Sequence, residues 1–380
     1  MGLRVAAIAL IALIVNVLRW RRDMRRMGEL AVSRGEIPPC YPAPAQRVSF
    51  LVAAWNEESA VESCIDAILG LHYPNLEIVL CAGGTDRTWQ VASKFEDSRL
   101  ILLAQAPLEG KQRSLQRCLE KATGGIIYLV DAGCVITDLA FARTVGPILS
   151  GKELAVTTAP CTPLRKQTEI PFVISQCACR VYTSLYQPVY CSGLLGANSA
   201  MRRSVLEQAG GFGSEVHTGV DYDLGKRLLR QGVRIRYEAA ASLPIRFHTH
   251  VERYLGQQAR WLRSTVIHGM RFGAYGEVAS SIGTSLLGFS MLGVPCLTLI
   301  LGCLPGTKRL HLEGFAVLWG LGFAIAFLSR LRYLRVAGLW LGIRVPARVV
   351  ALVPVFLLID FLAWSMPLFQ YPWKPLRDRW

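Results

Sequence analysis

The sequence predicts an α/β domain, a mostly parallel sheet flanked by helices, carried between hydrophobic segments that cross a membrane. Three observations predict it. Four short runs rich in Val, Ile and Leu, at 48–54, 76–82, 100–105 and 126–131, alternate with segments of helical period. Hydrophobic stretches stand towards both ends of the sequence, one near residues 5–18 and three beyond residue 274. The 380 residues are 52% hydrophobic with positive mean hydropathy, too apolar for an ordinary soluble protein and enough for one large domain plus several spans.

Taken in order, 5–18 with Leu3 and a snorkelling Arg4 is just long enough to cross a bilayer. A cleaved signal peptide is the alternative. No small-residue cleavage site follows, and Arg19, Arg21, Arg22, Arg25 and Arg26 do, which favours a retained anchor whose C-terminal side is cytosolic. The Pro-rich stretch 37–44 reads as a linker. The four strand-like runs then alternate with helical segments at 58–69, 85–95 and 111–122. After about residue 274 come hydrophobic runs at 279–304, 315–328 and 349–369, the last carrying Pro354, Asp360 and Pro367, which leave open a single span or a hairpin. With an outside N-terminus the tail lies outside, yet it carries Lys374, Arg377 and Arg379, against the positive-inside tendency. The expected division is 1–28 anchor and basic flank, 29–46 linker, 47–273 cytosolic domain and 274–380 C-terminal membrane region, with one N-terminal and about three C-terminal transmembrane helices.

The formal charge of +15 invites a nucleic-acid reading, but the basic residues gather beside hydrophobic runs, as again in Arg330, Arg332 and Arg335, and no aromatic-basic sheet pattern is present. No nucleic-acid partner is expected. Eleven cysteines show no CxxC spacing, Cys177 and Cys179 being nearest with one residue between, so neither a zinc knuckle nor a disulfide framework is predicted. His248 and His250 share a strand face without an evident third ligand and read as structural or interfacial. No GxGxxG follows the first strand and no GxxxxGK[ST] occurs, which argues against dinucleotide and P-loop sites. Ligands of open α/β sheets bind beyond the carboxyl ends of the strands, and this gathers 55–57, 83–86 and 131–133 around one crevice.

Seven motifs follow in order over roughly residues 47–273: VAAWNEE, CAGGTDRT, GKQRSLQRCLEKATG, LVDAGC, GLLGANSAMRR with GGF, GVDYDLGKRL and QQARW. The set resembles the membrane-bound family-2 glycosyltransferases of GT-A fold, similar to chitin-oligosaccharide, hyaluronan and cellulose synthases and to ceramide glucosyltransferase. The resemblance implies a GT-A-type nucleotide-sugar-binding domain in the bacterial inner membrane, its catalytic part cytosolic. It also implies transfer from a nucleotide-diphosphate sugar, UDP-sugar by default, to a polysaccharide or oligosaccharide acceptor at the lipid bilayer. A membrane lipid acceptor and a non-catalytic glycosyltransferase-like subunit are the alternatives.

Such transfer needs a base, charge stabilisation for the leaving diphosphate and a nucleoside pocket. By resemblance Asp221 deprotonates the acceptor for a single inverting displacement; the plain alternative is a carboxylate favoured by a helix N-terminus. Asp223, two residues on, faces elsewhere on a helix, and Val220 stands where the family has Glu. Asp131 takes the first place of the family's DxD, reaching a divalent metal, Mg2+ or Mn2+, or the ribose; its alternative is a cap on the turn after a strand. The second place is Gly133. Cys81-Ala82 replace the family's acidic pair, while Asp86 remains, on the nucleotide or as the start of a helix. Trp55 is implied to stack on the base with Glu57 as polar partner. Lys111 and Arg113 are implied to meet phosphates, an exposed basic turn being the plain alternative, and Met201-Arg202-Arg203 resembles the acceptor-side loop. Gln257, Arg260 and Trp261 share one helical face, Arg suited to the diphosphate and Trp to the acceptor sugar; an interfacial amphipathic helix is the alternative.

Overall fold

The computed structural model describes residues 2–35, 46–150, 154–213, 218–303 and 309–370. The Pro-rich stretch 37–44 and the basic tail with Lys374, Arg377 and Arg379 lie outside the described residues. The elements run α1 (Gly2–Gly35), β1 (Val48–Trp55), α2 (Val61–Leu69), β2 (Leu76–Gly83), α3 (Thr88–Ala92), β3 (Leu100–Ala104), α4 (Gly110–Lys121) and β4 (Ile126–Val130). Next come α5 (Asp138–Ser150), β5 (Val156–Thr158), β6 (Cys161–Pro163), α6 (Pro171–Leu185), β7 (Tyr190–Cys191), β8 (Asn198–Arg202), α7 (Arg203–Gln208) and α8 (Val220–Arg230). The series closes with β9 (Ile235–Tyr237), β10 (Leu243–Ile245), α9 (Val251–Phe272), α10 (Tyr275–Gly302), α11 (Arg309–Leu341), α12 (Ala347–Ala351) and α13 (Val353–Gln370). Two compact units result. Of the described residues, one holds 2–31, Lys166–Leu185 and Phe247–Gln370, and the other holds 32–35, 46–165 and Tyr186–Arg246.

The second unit is built on a sheet of order β3-β2-β1-β4-β8-β5-β9-β7. Its first four strands are parallel, and β8 enters antiparallel between β4 and β5. The expected strands are all present, because β1, β2 and β4 are apolar apart from Ser49 and Glu77 and are buried at every position, as strands covered on both faces must be. On one face Phe50 stacks on Tyr128 at 4.9 Å between ring centroids, and Phe141 of α5 packs on both at 5.7 and 5.9 Å. The other face is covered by α4 and α8 through Leu115, Leu119, Leu224 and Leu228. One charge is built into this interior. Burial pushes the Glu77 carboxyl up, and hydrogen bonds from Ser49 and Thr123 with Arg47 at 2.9 Å reverse this and hold it below its ordinary value. The strand order steps outward from β1 in both directions, so a switch point lies between β1 and β4.

The first unit is helical. In it α10, residues 313–341 of α11, and α13 are long and apolar enough to cross a membrane. Pro354 falls in the first turn of α13, where no helical hydrogen bond is lost, and Val353–Gln370 forms one helix; the hairpin left open by the sequence does not form. Helix α1 continues through 29–35, which composition assigns to the linker, and it exposes Leu10, Ile11, Leu13, Ile14 and Leu18. Helix α9 packs along α10 and α13, and the segment 166–185 joins the same unit although its composition reads as part of the soluble domain.

Two of the arginines read as membrane-boundary markers turn inward. Arg330 pairs with Asp360 and donates to Ser175, while Asp360 accepts from Tyr254 at 2.5 Å. Arg332 lies 2.8 Å from Asp23 and donates to Asn16 and Tyr182. These buried pairs cross-link α1, α6, α9, α11 and α13, and truncating one partner leaves an uncompensated charge in an apolar site.

Replacing Phe50 with Ala removes the ring at the centre of the Tyr128–Phe141 cluster. The urea midpoint of the full chain in detergent is expected to fall by the equivalent of about 3–5 kcal/mol. An unchanged midpoint would show that α5 is not held through this cluster.

Candidate active site

The turns after β1 and β2 are locked to one another by side chains that leave the sheet. Asn56 adopts a φ of 57°, and its Oδ1 accepts from the Thr85 backbone N–H at 2.7 Å. This close approach requires Gly84, with φ 133°, since a Cβ there would stand 2.3 Å from Asn56 Oδ1. Asp86 completes the lock. Its Oδ2 accepts from Glu58 N–H at 3.1 Å, and its Oδ1 from Thr88 N–H at 3.0 Å and Thr88 Oγ1 at 2.6 Å. Burial pushes the Asp86 carboxyl up; the hydrogen bonds from Thr88 and from the backbone at Thr88 and Glu58 outweigh it and hold the group ionised below its ordinary range. Of the two readings of Asp86, these contacts describe the one at the start of a helix.

Trp55 ends β1 with its ring packed over Gly83, only 9% exposed. Glu57 is half-buried, its N–H donating to Thr88 Oγ1 at 2.7 Å. Asp131 follows β4 with its side chain about a third exposed. Glu57 and Asp131 both act on Cys64, whose thiol is pushed up to about 12 by burial first and then by the Asp131 and Glu57 charges. The thiol is therefore inert, and it marks the place where the two carboxylate fields overlap.

Lys111, at the start of α4, extends its ammonium to Asp131 Oδ1 at 2.5 Å. Burial works against the charged amine, but Asp131, by charge and hydrogen bond, and then the Asp221 charge raise it above its ordinary value. Lys111, Asp131 and Asp221 thus form one electrostatic group although they are far apart in sequence. Asp221 opens α8 after Gly219, which has a φ of 68°, and its Oδ2 accepts from Gly196 N–H at 3.3 Å. Gly196 lets the two chain segments approach closely: a Cβ there would come within 3.1 Å of the Asp221 Cβ and press on it. Asp223 is a different kind of residue, 2% exposed and paired with Arg227 at 2.8 Å. Arg202 donates to the Ile148 carbonyl at 2.7 Å and fixes the end of α5.

Among the described residues no group of three or more His, Cys, Asp or Glu side chains is placed to hold a metal ion. The donor set does fit an ion that takes one carboxylate oxygen, from Asp131, and fills the rest of its shell with phosphate and water. Gly133 leaves ordinary van der Waals room for a Cβ, with Arg246 and Ile245 3.7 Å away, so nothing in the structure explains the missing second carboxylate.

Gln257, Arg260 and Trp261 belong to the helical unit, on α9. Gln257 and Trp261 are both held by a residue that no motif singles out. Arg180 of α6 donates to Gln257 Oε1 at 2.8 Å and lies between two rings, 4.3 Å from the Phe247 centroid and 4.9 Å from that of Trp261. One turn earlier, Gln176 donates to the His248 carbonyl at 2.8 Å, and Gln167 exchanges hydrogen bonds with the Phe247 backbone. Arg246 was also missed. It donates to the Ser59 hydroxyl and carbonyl and ties the end of β10 to the turn after β1. Neither arginine sits in a motif, and only contacts across long sequence separations reveal them.

The sequence profile of the family described as glycosyltransferase-like family 2 matches residues 44–264, more than half of the chain. The chain belongs to this family. Among its relatives in family 2, the probable glycosyltransferase YdaM of Bacillus subtilis is 24% identical over 272 residues, 68% of this chain and 60% of that protein's length. The UDP-Glc:alpha-D-GlcNAc-diphosphoundecaprenol beta-1,3-glucosyltransferase WfaP of Escherichia coli is 30% identical over 86 residues, 22% of this chain and 34% of WfaP. The chain thus spans well under two thirds of the length of these curated relatives. Across 98% of both chains the fold matches that of the mannosyltransferase PcManGT from Pyrobaculum calidifontis, solved with GDP-Man and Mn2+, at a TM-score of 0.51 and 17% identity. The GT-A fold expected from the motifs is therefore present, its sheet mixed beyond β4.

His248 supplies a pH prediction. Burial, then the charges of Arg180, Arg253 and Arg260, push its imidazole down to about 4, so the folded protein keeps it neutral where the unfolded chain binds a proton. Stability is expected to rise between pH 4 and 6.5 and to level off above that, and His248→Gln should flatten the rise. Urea midpoints across this range measure it; an identical slope in the variant would show that other groups carry the dependence.

Proposed function

We propose that the protein is an inverting glycosyltransferase that moves a sugar from a nucleoside-diphosphate sugar, uridine by default, to an oligosaccharide or polysaccharide acceptor at the membrane. The observation that carries this reading is the Lys111–Asp131 ion pair within the electrostatic reach of Asp221, at the switch point of the parallel sheet. A carboxylate about a third exposed beside a largely buried cation is what a displacement at an anomeric carbon with a departing diphosphate needs.

In the proposed reaction the acceptor hydroxyl attacks the anomeric carbon, Asp221 takes the hydroxyl proton, and the bond from that carbon to the diphosphate oxygen breaks with inversion. Gly196 N–H, donating to Asp221 Oδ2, orients the base. The ammonium of Lys111 passes from Asp131 to the phosphate oxygens as charge develops on them. Arg260, by family resemblance, pairs with the same diphosphate, while Arg180 keeps Gln257 and Trp261 in place for substrate. A divalent ion such as Mn2+, held by Asp131, would neutralise further negative charge on the leaving group. Glu57 is assigned to the nucleoside, and Trp55, with little ring area free, to the wall of its pocket. The domain is assigned to the cytosolic side of a bacterial inner membrane, where nucleotide sugars are made, with α1 as a further anchor. A second acceptor class, a lipid carrying the growing sugar, is favoured by the likeness to WfaP, whose acceptor is a diphosphoundecaprenol-linked sugar.

The test is turnover of a panel of radiolabelled nucleotide sugars by the full chain in lipid nanodiscs, with products weighed by mass spectrometry. Asp221→Asn is expected to lower the rate by about 10²–10⁴ while calorimetric affinity for the nucleoside diphosphate is kept. Equal turnover by the variant would remove Asp221 from its role. A ladder of masses marks polymer synthesis, and one glycosylated lipid marks the second acceptor class.

A further inference from the structure

Helix α11 carries three arginines in close succession, and the protein treats them differently. Arg330 and Arg332 are 3% and 4% exposed, and each has a carboxylate from another helix, Asp360 and Asp23. Arg335 is exposed, and among the described residues it has no carboxylate, carbonyl or ring partner. Its side chain lines a cleft of about 300 Å³ together with Leu331, Leu334, Ile343, Val345 and Val350, so the rest of the wall is hydrocarbon. Arg344, also exposed, stands on the turn that supplies Ile343 and Val345 and adds a second positive charge beside the cleft.

This combination specifies an occupant. A cation near the end of a membrane-crossing helix is stabilised by a counter-charge, and the fold supplies one to two of the three arginines but not to the third. Among the described residues no anion is supplied to Arg335, which leaves it open to one from the surrounding membrane. That anion must arrive with apolar material attached, because the cleft beneath the guanidinium offers nothing else to bind. We infer that the cleft between α11 and α12 binds one anionic membrane phospholipid, its phosphate on Arg335 and one acyl chain along the aliphatic wall. Basic pockets between membrane helices take lipid headgroups in this way. The site is independent of the sugar-transfer reading, since it uses none of the residues assigned to that reaction.

Native mass spectrometry of the full chain released from detergent tests it, with phosphatidylglycerol and phosphatidylcholine of matched acyl chains. The wild-type protein is expected to retain phosphatidylglycerol about fivefold over phosphatidylcholine, the contribution of roughly one arginine at a membrane surface. Arg335→Gln should bring the ratio to about one, whereas Arg21→Gln, which removes an exposed arginine from α1, should leave it unchanged. Val350→Trp fills the cleft, keeps the charge and should lower retention of both lipids. Glycerol phosphate, the same headgroup chemistry without chains, should not displace the bound lipid. A preference that survives Arg335→Gln, falls equally with Arg21→Gln, or yields to glycerol phosphate overturns the site.

Discussion

A lysine surrounded by protein stays charged only beside a carboxylate, and the pairing of Lys111 with Asp131 is the constraint around which the sheet unit is organised. The pair requires the first turn of α4 to face the end of β4, which the parallel order β2-β1-β4 and the crossover through β3 provide. A third group adds to the negative field, Asp221, which arrives from α8 about ninety residues after Asp131. Because only about a fifth of the lysine side chain remains exposed in the folded protein, in the proposed reaction the exchange of a carboxylate oxygen for a phosphate oxygen involves limited further desolvation. Preorganisation of this kind is prepared by the fold before any substrate binds.

The three departures from the family pattern have different physical standing. Val220, where an acid is usual, is 8% exposed and packs with Leu224 and Leu228, so the position has been absorbed into the core. Cys81 and Ala82 are likewise buried, on opposite faces of β2, where an unpaired carboxylate would carry a large desolvation cost. Gly133 alone has room for a side chain. Two of the departures belong to packing, and only the third bears on what the crevice can hold.

The strands of the parallel half were legible because each is a continuous apolar run, and the crevice was legible because strand ends carry its chemistry. β5, β6, β7, β9 and β10, of two or three residues each, have no period to read. Arg180 and Arg246 were invisible for another reason: each acts on a residue far away in sequence, and neither lies in a pattern that local propensity or spacing can register. The membrane arginines mislead in the opposite direction. Beside a hydrophobic run an arginine reads as a boundary marker, and only the partner, Asp23 or Asp360, shows that it is interior.

Those two partners also impose an order on biogenesis. As α11 leaves the ribosome, Asp23 has long been synthesised, so Arg332 can be neutralised on arrival. Arg330 meets its acid only after a further 30 residues have been translated. A helix α11 inserted as it is made would carry that charge unneutralised until α13 follows it. The two helices are best regarded as a single unit of membrane integration, each incomplete in the bilayer without the other.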